Sequence, residues 1–240
     1  QEQQPEVFSQ YLEALQTLAP DAPDVLRLRA IAALQAGESG KAVQLASAAF
    51  EASPSTQTLV ELVSYQKRAG KAKAATQLMQ QWVDEHPDDV TARLALASDL
   101  QQANDLASAQ KQYLAVLARD PDNVTALNNA AWNLRLDEPA QALEYIRRAA
   151  RAAPDRPEVL DTLAVIEHLN GENRSAYRNI ERALAGAPQN PSLRYHKAMI
   201  GASLGEKDQA IALLEELLAD DAPAFPEQAE AESLLKKLSG

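Results

Sequence analysis

The stretch "NVTALNNAAWNLRLDEPAQALEYIRRAARAAPDR", residues 123–156, decides the fold. Two Ala/Leu-rich helical runs meet at Asp137, where the chain turns. Ala142 follows five residues later, and Pro154 stops the second run because proline cannot continue the helical hydrogen-bond ladder. Three asparagines, Asn128, Asn129 and Asn133, lie in the first run. Asparagine competes for backbone hydrogen bonds and is a mediocre helix former, so the cluster needs a reason.

The same marks recur along the chain. Prolines stand at Pro20, Pro54, Pro87, Pro121, Pro154 and Pro188, in steps of 34, 33, 34, 33 and 34. Gly37, Gly70, Asn104, Asp137, Gly171 and Gly205 form a second series, and Ala42, Ala75, Ala109, Ala142, Ala176 and Ala210 a third, each five residues on. Glycine and asparagine accept the left-handed backbone that ends a helix, so the second series marks tight turns. The alanines let two antiparallel helices approach closely. Pro23, Pro157, Pro191 and, in a second helix, Pro139 fall where a first-turn proline is tolerated.

Six registered copies of helix, short turn, helix and longer turn resemble the tetratricopeptide repeat (TPR), a 34-residue helical hairpin. With the prolines at position 32, position 8 reads Ala30, Val63, Ala97, Ala130, Ala164 and Ala198. Position 27 reads Ala49, Trp82, Val116, Ala149, Ala183 and Leu217, so the second, third and sixth copies are expected to pack differently. The family's Trp at position 4 is absent; Trp132 falls at position 10. The resemblance implies an all-α, right-handed α-solenoid with repeats at 23–55, 56–89, 90–122, 123–156, 157–190 and 191–222. Residues 1–22, through "PEVFSQYLEALQTLAP" at 5–20, read as the second helix of a truncated preceding repeat, so the native protein is expected to continue upstream. Residues 223–240 read as a capping helix, charged on one face to shield the last repeat from solvent.

Composition agrees with helix throughout: 46% of residues are hydrophobic, only 5% aromatic, and no stretch shows sustained period-two alternation. A net charge of -11 with a pI near 4.8 argues against nucleic acid as a partner. No apolar run is long enough to span a membrane, and "QEQQPEVF" has neither Met nor a signal-peptide core, which reads as a processed or trimmed chain. Zero cysteines exclude disulfides, thiolate metal sites and a cysteine nucleophile.

Enzyme motifs fail. "GESGKA" at 37–42 lacks the first glycine and final Ser/Thr of a phosphate loop and follows a helix rather than a strand. His86, His168 and His196 show no metal-binding spacing. The acidic pairs Asp88/Asp89, Asp220/Asp221 and Glu215/Glu216 read as solvated, and Asn123 and Asn173 begin incidental N-x-[ST] sequons. The chain is expected to be non-enzymatic, with no cofactor and no metal.

The resemblance implies a concave groove lined by first helices at positions 2, 5, 9, 12 and 13. Carried over, the partner-binding candidates are Arg27, Leu34, Lys67, Arg68, Leu94, Gln101, Leu127, Asn128, Arg135, Asp161, His168 and Tyr195. The early part carries Arg27, Lys67, Arg68 and Arg135, the middle is apolar around Leu94, Leu127 and Leu134, and the late part carries Glu158 and Asp161. This suits an extended peptide or a partner helix; ordinary inter-repeat core and solvated surface would give the same pattern, and the sequence does not choose between them. Some family members clamp a peptide's terminal carboxylate with Lys and Asn. Asn128 matches such an Asn, but Glu158 and Asp161 stand where positive charge is required.

The first helices "ALNNAAWNL", "VLDTLAVIEHL" and "LRYHKAMIGASL", followed by "FPEQAEAESLLKKL", resemble the carboxyl end of bacterial TPR-repeat lipoproteins of exopolysaccharide and PEP-CTERM/exosortase systems. This implies a periplasmic interaction scaffold, anchored by an upstream lipid; a cytoplasmic location stays open. The alternative is direct binding of a polysaccharide or small ligand through Tyr195, Trp132 and the amide side chains. At position 6, Asn128, Thr162 and His196 succeed one another, beside Asp161 and Tyr195 at position 5. An inter-repeat polar ladder is expected there, with Asn129 and Asn133 as packing contacts.

Overall fold

The computed structural model describes residues 13–219 and 223–240. Most of the expected opening helix over 5–20 lies outside the described residues, as do Asp220, Asp221 and Ala222; residues 13–18 are helical. The described residues are all-α. Two compact units divide the chain, one through Gln112 and one from Tyr113 onward, with the boundary inside a helix.

In the first unit the helices are α1 (Pro23–Gln35), α2 (Ser39–Ala52), α3 (Thr56–Arg68), α4 (Ala72–Glu85), α5 (Val90–Gln102) and the opening of α6 (Leu106–Leu117). Each of α1 to α4 packs on the next, α4 packs on α5, and the first helices α3 and α5 also touch. Three of the repeat turns here adopt the backbone expected of them, with φ of 77° at Gly37, 75° at Gly70 and 61° at Asn104. Each positions an N–H to reach back five residues, as Glu38 N–H does to the Ala33 carbonyl, so carbonyls orphaned at the helix end are satisfied.

Helix starts follow local chemistry. Ser55 and Thr58 form a reciprocal capping box on α3, and Asp89 accepts the Ala92 N–H at the start of α5. Pro23 opens α1 at a position with no intrahelical N–H partner to lose. The core beneath is aliphatic, with Leu59, Met79, Val83 and Leu96 at most 1% exposed. Burying each such side chain is worth roughly 1.5–3 kcal/mol. Trp82 fits at the crowded position 27 by stacking on His86, with ring centroids 3.8 Å apart, and by giving its indole N–H to Asp89 at 2.8 Å.

The second unit contains the rest of α6, then α7 (Val124–Leu134), α8 (Pro139–Ala152), α9 (Pro157–Leu169), α10 (Asn173–Gly186), α11 (Pro191–Ser203), α12 (Lys207–Leu217) and α13 (Gln228–Ser239). From α7 each helix packs on the next, and the first helices α7, α9 and α11 also pack in sequence. Ala142, Ala176 and Ala210 are at most 2% exposed at the helix crossings, and Ala130, Ala164 and Ala198 equally so on the first helices. A larger side chain at these close approaches would overpack the core.

One turn departs from the expected pattern. Asp137 does not adopt a positive φ; the α7–α8 connection instead closes through Glu138 N–H to the Leu134 carbonyl at 2.8 Å. Asn104 shows that a Cβ alone does not forbid the left-handed turn; what sets this copy apart is Pro139 at the start of α8, which restricts the residue before it and gives a different route into the second helix.

Candidate functional site

A cleft of about 500 Å³ opens on the first-helix row of the second unit. Helix α7 contributes Asn128, Asn129 and Trp132; α9 contributes Pro157, Glu158, Asp161 and Thr162; α11 contributes Ser192, Leu193 and His196. Gly186, Ala187 and Asn190 come from the end of α10 and the following turn, and Glu227 from the start of α13. The repeat explains this convergence, since one face of each first helix returns to the same side at every copy. No lysine or arginine is among the lining residues.

Asp161 and His196 fix the floor. The Asp161 carboxylate lies 2.6 Å from His196 Nδ1, joining position 5 of one repeat to position 6 of the next. His196 is 5% exposed, so its ring would lack a polar partner without Asp161. Nearby, the Ser192 hydroxyl donates to Glu227 at 2.7 Å, tying the α13 entrance to α11. Asn190 accepts the Leu193 N–H as the cap of α11, so its place at the rim is set by helix chemistry.

The expected position-6 ladder forms at one rung. His196 bonds across repeats, whereas Asn128 donates sideways to Asn129 at 3.1 Å. The Asn128 Oδ1 is buried and has no hydrogen-bond partner. Asn129 is more than a packing contact: it also hydrogen-bonds the Tyr113 phenol, partly offsetting the burial that raises that group's pKa. The physical reason is rung chemistry. Leu94, at position 5 before Asn128, and Leu127, at position 5 before Thr162, have no polar group to offer.

The other candidates are dispersed. In the first unit Arg27 gives two bonds to Glu61, Nε at 2.8 Å and a terminal nitrogen at 2.5 Å, and this pairing raises its pKa against the opposing effect of burial. Lys67 pairs with Asp99. These cations are inter-repeat ties, which the sequence reading of a basic groove did not foresee. Leu34 packs against the first unit's core, Leu94 and Gln101 are half-buried, and Arg68 is exposed.

In the second unit Leu127 is fully buried and Tyr195 is 8% exposed, within a cluster containing Leu214, Phe225 and Ala231. Both side chains are core, because neighbouring helices close over position 5 at these copies. Arg135 lies over the Trp132 ring at 3.9 Å and donates to the Trp132 carbonyl at 2.7 Å, while burial lowers its pKa. His168 pairs with Asn173 at 2.7 Å.

Sequence reasoning missed Asn190 and Glu227 as lining residues. Glu227 precedes the last helix and lies outside the repeat register, so no periodic signal marks it. It also missed Glu167, a buried carboxyl held by Ser175 at 2.9 Å and Asn179 at 2.8 Å. Burial raises its pKa and the two hydrogen bonds offset this only in part. Among the described residues, no group of three or more metal-ligating side chains comes together, and no helix is long and apolar enough to cross a membrane.

Comparison with known proteins bears on the fold and the family. A TPR repeat-containing protein of Pseudomonas aeruginosa is 31% identical over 134 residues, covering 55% of this chain and 21% of that protein. Cellulose synthase operon protein C of Xanthomonas axonopodis pv. citri is 29% identical over 201 residues, covering 80% of this chain and 13% of the relative. The chain thus spans about a fifth or less of these relatives. A tetratricopeptide repeat protein from Parabacteroides merdae shares the fold, with a TM-score of 0.73 at 17% identity over 90% of this chain and 86% of that one. The tetratricopeptide repeat family profile matches residues 94–157 and 170–229, more than half of the chain, and the chain belongs to the tetratricopeptide repeat family.

Proposed function

We propose that the protein is a non-enzymatic interaction scaffold of a bacterial exopolysaccharide system, and that the second unit's cleft holds an extended segment of a partner protein. One observation carries the site: the first-helix row forms a polar concavity large enough for several side chains, floored by a fixed Asp161–His196 pair. Fixed polar groups orient a ligand without first having to be ordered. The setting is supported by similarity to the cellulose synthase operon proteins of Xanthomonas and Komagataeibacter xylinus. A periplasmic location and a lipid anchor belong to the same proposal.

Direct polysaccharide binding has weaker support. Tyr195 is core, and Trp132 has one face covered by Arg135, so the aromatic platform a sugar would need is small. Capture from the native envelope, followed by mass spectrometry, tests the scaffold reading by comparing wild type with Asn128→Arg, which fills the cleft. Loss of the captured protein in the variant is expected. Retention of every partner removes the cleft from the reading, and saturable titration by cello-oligosaccharides moves it to the sugar alternative.

A further inference from the structure

We infer that the cleft selects an arginine side chain of the bound segment. This rests on the proposal that the cleft binds an extended partner peptide. The lining carries three carboxylates, Glu158, Asp161 and Glu227, and no side-chain cation from lysine or arginine. Each has an internal partner for one oxygen: Asp161 has His196, Glu227 has Ser192, and Glu158 has Arg156 at 3.2 Å. A carboxylate has about four lone-pair sites, so each retains capacity to accept.

The amide at Asn128 adds an independent observation. Its nitrogen is spent on Asn129, while its buried Oδ1 has no partner. Asn128 lines the cleft, and an acceptor left unsatisfied in its wall stays costly until a donor entering the cleft reaches it. The complementary group must supply several N–H donors from one planar head and carry positive charge. Guanidinium meets both requirements with five donors in a rigid fork, whereas the compact, more strongly hydrated lysine ammonium offers three. This is opposite in sign to carboxylate recognition: the same first-helix face is built here to accept hydrogen bonds.

The test screens the full chain against an arrayed library of short random peptides, then measures the best binder by fluorescence polarisation. Binders containing arginine are expected. Replacing that arginine by citrulline, which keeps the shape and loses the charge, weakens binding about tenfold or more, the value of one charge-assisted hydrogen bond. Glu227→Gln, which retains an acceptor for Ser192, and Glu158→Gln each weaken it several-fold, while Asp122→Asn, an exposed carboxylate outside the cleft, leaves it unchanged. Circular dichroism confirms that each variant is folded. Equal affinity for the same peptide with lysine in place of that arginine overturns the guanidinium assignment. Binders that lack basic residues yet are lost in Asn128→Arg overturn the inference and leave the cleft reading standing. Binding insensitive to every cleft substitution, or no binder at all, overturns both.

Discussion

In the first unit, cationic side chains of the first-helix face are held by carboxylates of the next repeat: Arg27 by Glu61 and Lys67 by Asp99. In the second unit the corresponding face is tied between repeats by Asp161 to His196, and around this pair lies a cleft with carboxylate and amide acceptors. Both use the link from position 5 of one copy to position 6 of the next, once as Arg27–Glu61 and once as Asp161–His196. The difference lies in burial. Arg27 and Glu61 side chains are 23% and 25% exposed, against 18% and 6% for Asp161 and His196. The first pair is a semi-exposed strut; the second is the floor of a cavity. A repeat register therefore sets where two side chains can meet, and the surrounding packing sets what the meeting is worth.

The largest expected effect tests that contrast. Asp161→Ala is expected to cost about 1–3 kcal/mol because it leaves the buried His196 imidazole without a partner. Arg27→Ala should cost about 1 kcal/mol, since its pair is partly solvated and screened and Glu61, left without it, still reaches water. Urea denaturation of the two variants checks the order, and equal losses would break the distinction between strut and floor.

A smaller effect compares two glycines. At Gly186, the end of α10, an added Cβ would lie 2.8 Å from Pro157 Cγ, whereas at Gly40, in the first turn of α2, nothing lies within 4 Å. Gly186→Ala is expected to destabilise by about 1 kcal/mol through overpacking, and Gly40→Ala to stabilise by roughly 0.4–1 kcal/mol by restricting the unfolded chain. Melting temperatures that shift the same way would remove the packing argument.

The smallest effect is in pH dependence, where the units have opposite sign. Burial alone would raise Asp89, but the Ala92 N–H, the Thr56 hydroxyl and the Trp82 indole outweigh it and hold the carboxyl below its ordinary value. Asp89 thus stabilises the first unit above about pH 4, the unfolded aspartate value, and this contribution fades as pH falls through the lower folded value. Glu167 is raised by burial, so its contribution is complete below about pH 4.3, the unfolded glutamate value, and is lost as pH rises toward the folded one. Relative to wild type, Trp82→Phe should lose most stability at neutral pH and less in acid. Glu167→Gln should compare best with wild type at neutral pH and worst in acid. Urea midpoints measured across pH decide both, and parallel curves would deny either group its role.

Much of the architecture was legible in the sequence because it depends on local rules repeated in register. Helix ends were marked by proline and by residues that accept positive φ, and the crossings by alanines that are 2% exposed or less. Asp137 shows the limit of the rule, since its place in the turn series did not give it the glycine backbone. The site was less legible. Glu227 carries no periodic mark, and the neutralisation of Arg27 and Lys67 depends on carboxylates contributed by a neighbouring copy.

The sequence by itself determined the period, the alternation of first and second helices, and the small residues at their contacts, because each follows from hydrogen-bond termination and side-chain volume within one repeat. Only the tertiary structure decided the fate of a groove position. At position 5, Val60 is 38% exposed, Leu127 is fully buried, Asp161 is paired at a cleft floor and Tyr195 is core. These four side chains share one register, and the helices packed around each determine whether it meets solvent, a partner charge or the interior.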